Sequence, residues 1–260
     1  MGLIDEIIYW AEIIGTIAFA LSGAMVGIDK RFDIFGIIVL AISTAVGGGA
    51  VRDVLLGRTP PNMFVQPIYA GLAVTSAIVV FCLTYEMKYF SKYRKIYFLL
   101  VEVFDTIGLG VFAVTASVVV LDMYPEANIF LTIFMGCITG VGGGILRDMM
   151  SGRVPAVLRK RIYAVAALIG SAIYYYLLKT GLEKTVSMVV AIMLVIIIRA
   201  LAMHYGWNLP RASEAYFQAM ENSIIEQQNW QKQNVIVNEQ LEHKSEKNSN
   251  DTEKNNNRQQ

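Results

Sequence analysis

Charge is what this sequence has least of. Asp, Glu, Lys and Arg make up 17% of the 260 residues and nearly cancel, leaving a net charge of +1. A soluble domain carries about 25%. The near-zero balance excludes nucleic-acid binding by bulk electrostatics. Histidine occurs twice, at His204 and His243, with no partners at metal-ligand spacing, so neither a metal nor another cofactor is expected. Cysteine also occurs twice. Cys82 and Cys137 both sit in apolar stretches, as small core or lipid-facing residues, and no disulfide is inferred. Ser22, Thr44 and Thr139 have no nearby histidine, and the glycine triplets lack the Lys-Ser/Thr of a phosphate-binding loop. No catalytic constellation emerges, which argues against an enzyme.

Apolar residues fill the space that charge leaves. They form 55% of the chain, and mean hydropathy is +0.49. A membrane helix needs about 20 mostly apolar residues. Seven stretches qualify: 7–28, 34–51, 67–85, 96–121, 127–146, 162–178 and 185–203. The first follows Asp5 and Glu6 rather than basic residues and is too long for a signal core, so it is read as a span. The fold class is therefore all-α and polytopic. Tyr85, Tyr89, Tyr97 and Tyr174 to Tyr176 lie near span ends, where an interfacial aromatic belt is expected.

Lys and Arg in short loops set orientation. Ten of them (Lys30, Arg31, Lys88, Lys92, Arg94, Lys95, Arg153, Arg159, Lys160, Arg161) fall on one side. The other side has Arg58, Lys179 and Lys184, with Arg52 as a possible fourth. This bias places the N-terminus outside and the C-terminus in the cytoplasm. Residues 213–241 are compatible with a polar helix carrying a weak stripe of Phe217, Met220, Ile224 and Leu241. From Lys244 onward the chain is too polar to fold and is expected to be disordered.

The sequence repeats itself. TAVGGGAVRDVLLGRTP (Thr44 to Pro60) and TGVGGGILRDMMSGRVP (Thr139 to Pro155) are identical at ten of seventeen positions with an offset of 95. Chance gives about one. Upstream, Glu12 matches Asp105, Gly15 matches Gly108 and Phe19-Ala20 matches Phe112-Ala113, all at offset 93. Downstream, Tyr69-Ala70 matches Tyr163-Ala164 at offset 94. Each unit holds three spans, so the second enters the membrane from the opposite side, as the loop charges also indicate. The expected organisation is two inverted three-helix repeats (1–90 and 91–180), a seventh transmembrane helix (181–207) and a polar cytoplasmic tail (208–260).

The candidate path residues follow from the repeat. Gly47, Gly48 and Gly49 lie deep in the second span, and Gly142, Gly143 and Gly144 deep in the fifth. Three adjacent glycines permit a kink or break that turns backbone groups toward a cavity; the competing reading is close helix packing. Arg52-Asp53 and Arg147-Asp148 follow directly, either lining a polar path or snorkelling as anchors. Glu12 and Asp105 are a symmetric pair of buried carboxylates that need partners, and Arg52 and Arg147 are the candidates. A small-residue surface (Gly15, Ser22, Gly23, Gly108, Gly110) permits close packing of helices or protomers.

GTIAFALSGA (Gly15 to Ala24), TAVGGGAVRD, FDTIGLGVFAV (Phe104 to Val114), TGVGGGILRD and the IYA of Ile162 to Ala164 resemble bacterial membrane proteins of the glycine-transporter-domain family, relatives of the trimeric intracellular cation channels. Glu12 stands where Asp is usual in that family, and Ala116 where Gly often ends the motif. The resemblance implies a homotrimer in a bacterial inner membrane, with one permeation path per protomer at Gly47–Gly49 with Arg52 and Gly142–Gly144 with Arg147. Three functions remain open: a channel for small monovalent cations, a secondary carrier for glycine or another small amino acid, and a non-transporting scaffold. Near-identity of the motif cores suits a pathway along the pseudo-two-fold axis. Inverted repeats with broken helices suit a carrier. Partners other than membrane lipids and the transported solute are not indicated.

Overall fold

The computed structural model describes residues 3–85, 94–159, 162–207, 218–227 and 229–231. Lys88, Tyr89, Lys92, Lys160, Arg161, Phe217, Leu241 and the tail from 232 onward, His243 and Lys244 included, lie outside them. All regular structure among the described residues is helical. The elements are α1 (Leu3–Asp29), α2 (Ile34–Leu55), α3 (Asn62–Val65), α4 (Ile68–Tyr85), α5 (Arg94–Met123), α6 (Ile129–Met150), α7 (Ala156–Arg159), α8 (Tyr163–Lys179) and α9 (Lys184–Tyr205). By length and composition α1, α2, α5, α6 and α9 can each cross a membrane; α4 and α8 are shorter apolar helices. The chain divides into compact units Met1–Leu209 and Pro210–Gln260, and in the second a helix over 218–227 carries exposed Met220, Ile224 and Ile225.

The order long, long, one turn, shorter occurs twice, as α1-α2-α3-α4 and α5-α6-α7-α8. Within each set the three longer helices pack on one another, and the sets meet through like elements, α1 on α5 and α2 on α6. α9 has no counterpart and packs on α5 and α8.

Local chemistry explains why equivalent segments stop and start alike. Asp33 caps α2 by accepting from the Gly36 N–H (2.7 Å), and Asn128 caps α6 by accepting from the Leu131 N–H (2.8 Å). At the other end Gly57 and Gly152 adopt left-handed φ of 73° and 65°. The N–H of Arg58 donates to the Asp53 carbonyl and that of Arg153 to the Asp148 carbonyl, both at 2.8 Å, closing the same C-terminal motif twice. Glycine is needed there because a Cβ disfavours that φ.

The helices differ from expectation in three respects. α2 and α6 run about a turn beyond the expected ends, so both Arg-Asp pairs lie inside helix. The expected interruption at the glycines does not occur, and both helices are continuous through the triplets. Tyr97 and Tyr174, expected in the aromatic belt, are buried, and the Tyr97 hydroxyl donates to the Met25 carbonyl at 2.5 Å. Tyr176 alone of that tyrosine triplet is well exposed.

Candidate functional site

The glycine triplets are where α2 and α6, one from each half, touch. A Cβ on Gly48 would stand 2.3 Å from the Thr139 carbonyl oxygen, and one on Gly143 would stand 2.1 Å from that of Thr44. No side chain fits there, so α2 and α6 cross backbone against backbone. Thr44 and Thr139 turn their hydroxyls onto their own helices, donating to the Leu40 and Met135 carbonyls at 2.6 Å. This is the close-packing role of small residues. The other small residues are also used within the protomer: a Cβ on Gly108 would meet the Phe19 ring at 2.2 Å, and one on Gly23 the Thr44 hydroxyl at 2.6 Å. They are therefore not a free surface for a neighbouring copy.

The Arg-Asp pairs form one device built twice. Arg52 Nε donates to Asp53 Oδ1 at 2.9 Å, and Arg147 Nε to Asp148 Oδ1 at 2.9 Å. The second oxygen of each aspartate accepts from the first N–H of the one-turn helix beyond, Asn62 of α3 or Ala156 of α7, at 2.7 Å. Each aspartate thus ties the loop back to its own helix, and all four side chains are nearly fully buried. A hydrogen bond to a charged group contributes about 1.5–3 kcal/mol. Asp53→Ala is therefore expected to free the loop. Trypsin cleavage after exposed Arg58 should accelerate severalfold while the membrane core stays intact, and an unchanged rate would assign the loop's order to other contacts.

Beyond this device the halves diverge. In the second, Arg147 Nη1 pairs with Asp105 and also donates to Ser22 Oγ at 2.6 Å. The Tyr163 hydroxyl fills the space above Gly144, 2.7 Å from where a Cβ would be. The Arg199 guanidinium of α9 stacks over the Tyr163 ring at 4.9 Å. In the first half Glu12 accepts from the Tyr69 hydroxyl at 2.6 Å and, among the described residues, forms no ion pair. Gly49 has open space, its nearest neighbour being Arg52 Nη2 at 3.9 Å. A cavity of about 30 Å³ lies there, bordered by Glu12, Thr16, Arg52, Asp53, Asn62 and Tyr69.

Asp105 thus finds the arginine partner expected for it, whereas Glu12 takes a tyrosine. The near-identity of the motif cores does not carry over to their surroundings. Where the first half has Thr16 and Ala50, the second has Leu109 and Ile145. Sequence reasoning missed Ser22, Tyr69, Tyr163 and Arg199 as members of the site. For Arg199 a signal existed: it is a cation well inside the last apolar span, and a buried charge requires a partner.

Similarity to known proteins fits this architecture. The chain is 37% identical over 176 residues to the UPF0126 membrane protein of Deinococcus radiodurans, covering 66% of this chain and 77% of the relative. It is 34% identical over 207 residues to the UPF0126 inner membrane protein YadS of Escherichia coli K12, covering 78% and 95%. Among solved structures, a prokaryotic TRIC channel in 0.5 M KCl superposes with a TM-score of 0.70 at 33% identity, covering 78% of this chain and 99% of the other. The trimeric intracellular cation channel orthologue from Rhodobacter sphaeroides gives 0.69 at 32%, covering 77% and 98%. The family profile described as Glycine transporter matches twice, at residues 9–85 and 102–179, once in each half, and the chain belongs to this family of multi-pass membrane proteins.

Proposed function

We propose that the protein is a passive pathway for small monovalent cations, potassium-like, with one path in each protomer of a homotrimer. The protomer is read as two inverted three-helix repeats, 1–90 and 91–180, followed by the seventh crossing helix α9. The path runs beside the α2–α6 crossing, past Gly49, Arg52 and Glu12 in the first repeat and Gly144, Arg147 and Asp105 in the second. The solved relatives are a cation channel and a trimeric intracellular cation channel orthologue, which supports carrying trimeric assembly and cation conduction to this chain.

The observation that carries the reading is the first-repeat cavity. Two carboxylates, Glu12 and Asp53, border it against one guanidinium, Arg52, so its formal charge is negative. A space of 30 Å³ has room for about two waters. That suits a partly hydrated monovalent cation. A negative, low-dielectric cleft raises local cation concentration by about tenfold or more. Glu12→Gln removes that charge while keeping an acceptor for Tyr69.

The alternative is a carrier for glycine or a similar amino acid. One observation favours it: one repeat is open and its counterpart is sealed, as alternating access requires. Purified protein in liposomes separates the two. The channel reading expects unitary potassium currents without saturable glycine uptake, and a loss of about tenfold in conductance in Glu12→Gln. Saturable, competed glycine uptake without unitary currents would establish the carrier instead. For topology, single cysteines replacing Glu126 and Arg159 should be labelled from opposite membrane faces, the first from outside.

A further inference from the structure

The open and sealed states of the two repeats need a cause, because the motifs themselves are nearly identical. α9 touches both sides of the difference. Its residue Val195 joins the apolar cluster that closes the second-repeat site with Leu109, Val141 and Tyr163, and Ile198 packs against that cluster. The cluster around the first-repeat site draws on α1, α2, α4 and α5, and none of its members belongs to α9. Between these contacts Arg199 is 3% exposed, and its Nε has no hydrogen-bond partner among the described residues. Its guanidinium is instead spent on the Tyr163 face, a contact that strengthens when desolvated. Among the described residues Tyr69, the equivalent of Tyr163, has no such cation over its ring.

The other end of α9 acts on the opposite loop. In the second repeat Arg153 pairs with Asp29 at the end of α1, holding the α6–α7 loop down. The repeat equivalents are Arg58 and Asp122 at the end of α5. That pair is not made. Asp122 is taken by Lys184, whose Nζ lies 2.7 Å from Oδ2, and Arg58 is exposed without an ion pair among the described residues. Lys184 is the first residue of α9 and lies fifteen residues from Arg199, about 22 Å along the helix.

We propose that α9 sets the two repeats apart: Arg199 holds the second-repeat site sealed, and Lys184 keeps the first-repeat loop unclamped by occupying Asp122. Both are positioning residues. The inference rests on the two-repeat reading above and is independent of whether the solute is a cation or an amino acid. Without these two contacts Arg58 can clamp to Asp122 as Arg153 does to Asp29, and the mirror-related state becomes accessible.

The test uses the full chain in membranes with Cys82→Ala and Cys137→Ala. Val46 borders the open cavity and Val141 is its repeat equivalent. Val46→Cys and Val141→Cys are compared for their rate of modification by a small cationic methanethiosulfonate. In the parent, position 46 should react at least about tenfold faster than position 141, and Lys184→Gln with Arg199→Gln should reduce that ratio at least tenfold by raising 141 and lowering 46. Arg199→Lys should restore part of the ratio, since an ammonium also binds an aromatic face. A ratio unchanged by these substitutions would overturn the proposal and assign the asymmetry to Leu109 and Ile145. A parallel rise at both positions would overturn it too, leaving α9 a packing element. Should the double variant fail to reach the membrane, Lys184→Gln alone, at a partly exposed pair, is read by the same ratio and the same outcomes. Transport is no part of the readout, so failure of a flux assay and failure of the labelling shift remain separate results.

Discussion

Asp105→Ala is expected to destabilise the protein far more than Glu12→Ala, although the two carboxylates occupy equivalent places in the repeat. Asp105 is 4% exposed and pairs directly with Arg147, which is 4% exposed itself. Removing one partner of a buried ion pair leaves the other charge desolvated, a loss of about 3–5 kcal/mol. Arg147 would keep Asp148 and Ser22, which places the expected loss toward the lower end of that range. Glu12 is half-buried and bonded to a neutral phenol, so its removal forfeits one hydrogen bond to a charged group, about 1.5 kcal/mol at a half-buried site. Thermal unfolding of the detergent-purified variants, followed by loss of the monodisperse peak, measures both. A double-mutant cycle on Asp105 and Arg147 should give a coupling energy of about 1–3 kcal/mol, whereas one on Glu12 and Arg52 should give nearly none. Equal losses for the two carboxylates would show that Arg52 and Glu12 pair in solution as Arg147 and Asp105 do here.

That contrast also marks how far the sequence could be read. The duplication, the all-helical class and an Arg147–Asp105 contact were legible, because each rests on residue type and spacing. Four aspects were not. The helix ends were placed a turn early because Arg and Asp lower apparent hydropathy, whereas their mutual pairing and the cap on the following N–H let them stay within helix. The aspartates' second oxygens are engaged by backbone N–H groups eight and nine residues on, which no side-chain pattern announces. The belt assignment of Tyr97 and Tyr174 followed position near span ends, and tertiary packing overrode it. The asymmetry between repeats is not legible in the identical positions. The positions that differ, Thr16 against Leu109 and Ala50 against Ile145, and α9, which has no copy to be compared with, are what distinguishes the two halves.

The glycine triplets make the same point within three residues, and they give the second large effect. Gly143→Ala should be severely destabilising and Gly49→Ala nearly silent for folding. At position 143 the new methyl would lie 2.1 Å from the Thr44 carbonyl oxygen and 3.3 Å from the Phe19 ring. The obstructing atom is helix backbone, held by the hydrogen bonds of α2, so it cannot rotate away. Relief requires α2 and α6 to separate along the whole crossing, exposing the Arg-Asp devices packed beside it. Overpacking a filled core costs about 1–3 kcal/mol when side chains can adjust, and a backbone clash at the contact between the two halves belongs at or above the top of that range. Gly48→Ala, facing the Thr139 carbonyl at 2.3 Å, should behave alike. At position 49 the nearest atom to the added methyl is Arg52 Nη2 at 3.9 Å, an ordinary contact, and alanine replaces glycine with a gain of about 1 kcal/mol in helix propensity. Gly49→Ala should therefore melt at or slightly above the parent temperature. Because Gly49 borders a cavity of only 30 Å³, one methyl there removes much of its volume, so transport should fall while stability does not. Thermal melting and flux in the same preparations check the pair of variants. A Gly143→Ala protein as stable as the parent would mean that α2 and α6 do not meet at the triplets, and a Gly49→Ala protein with unchanged flux would place the path elsewhere.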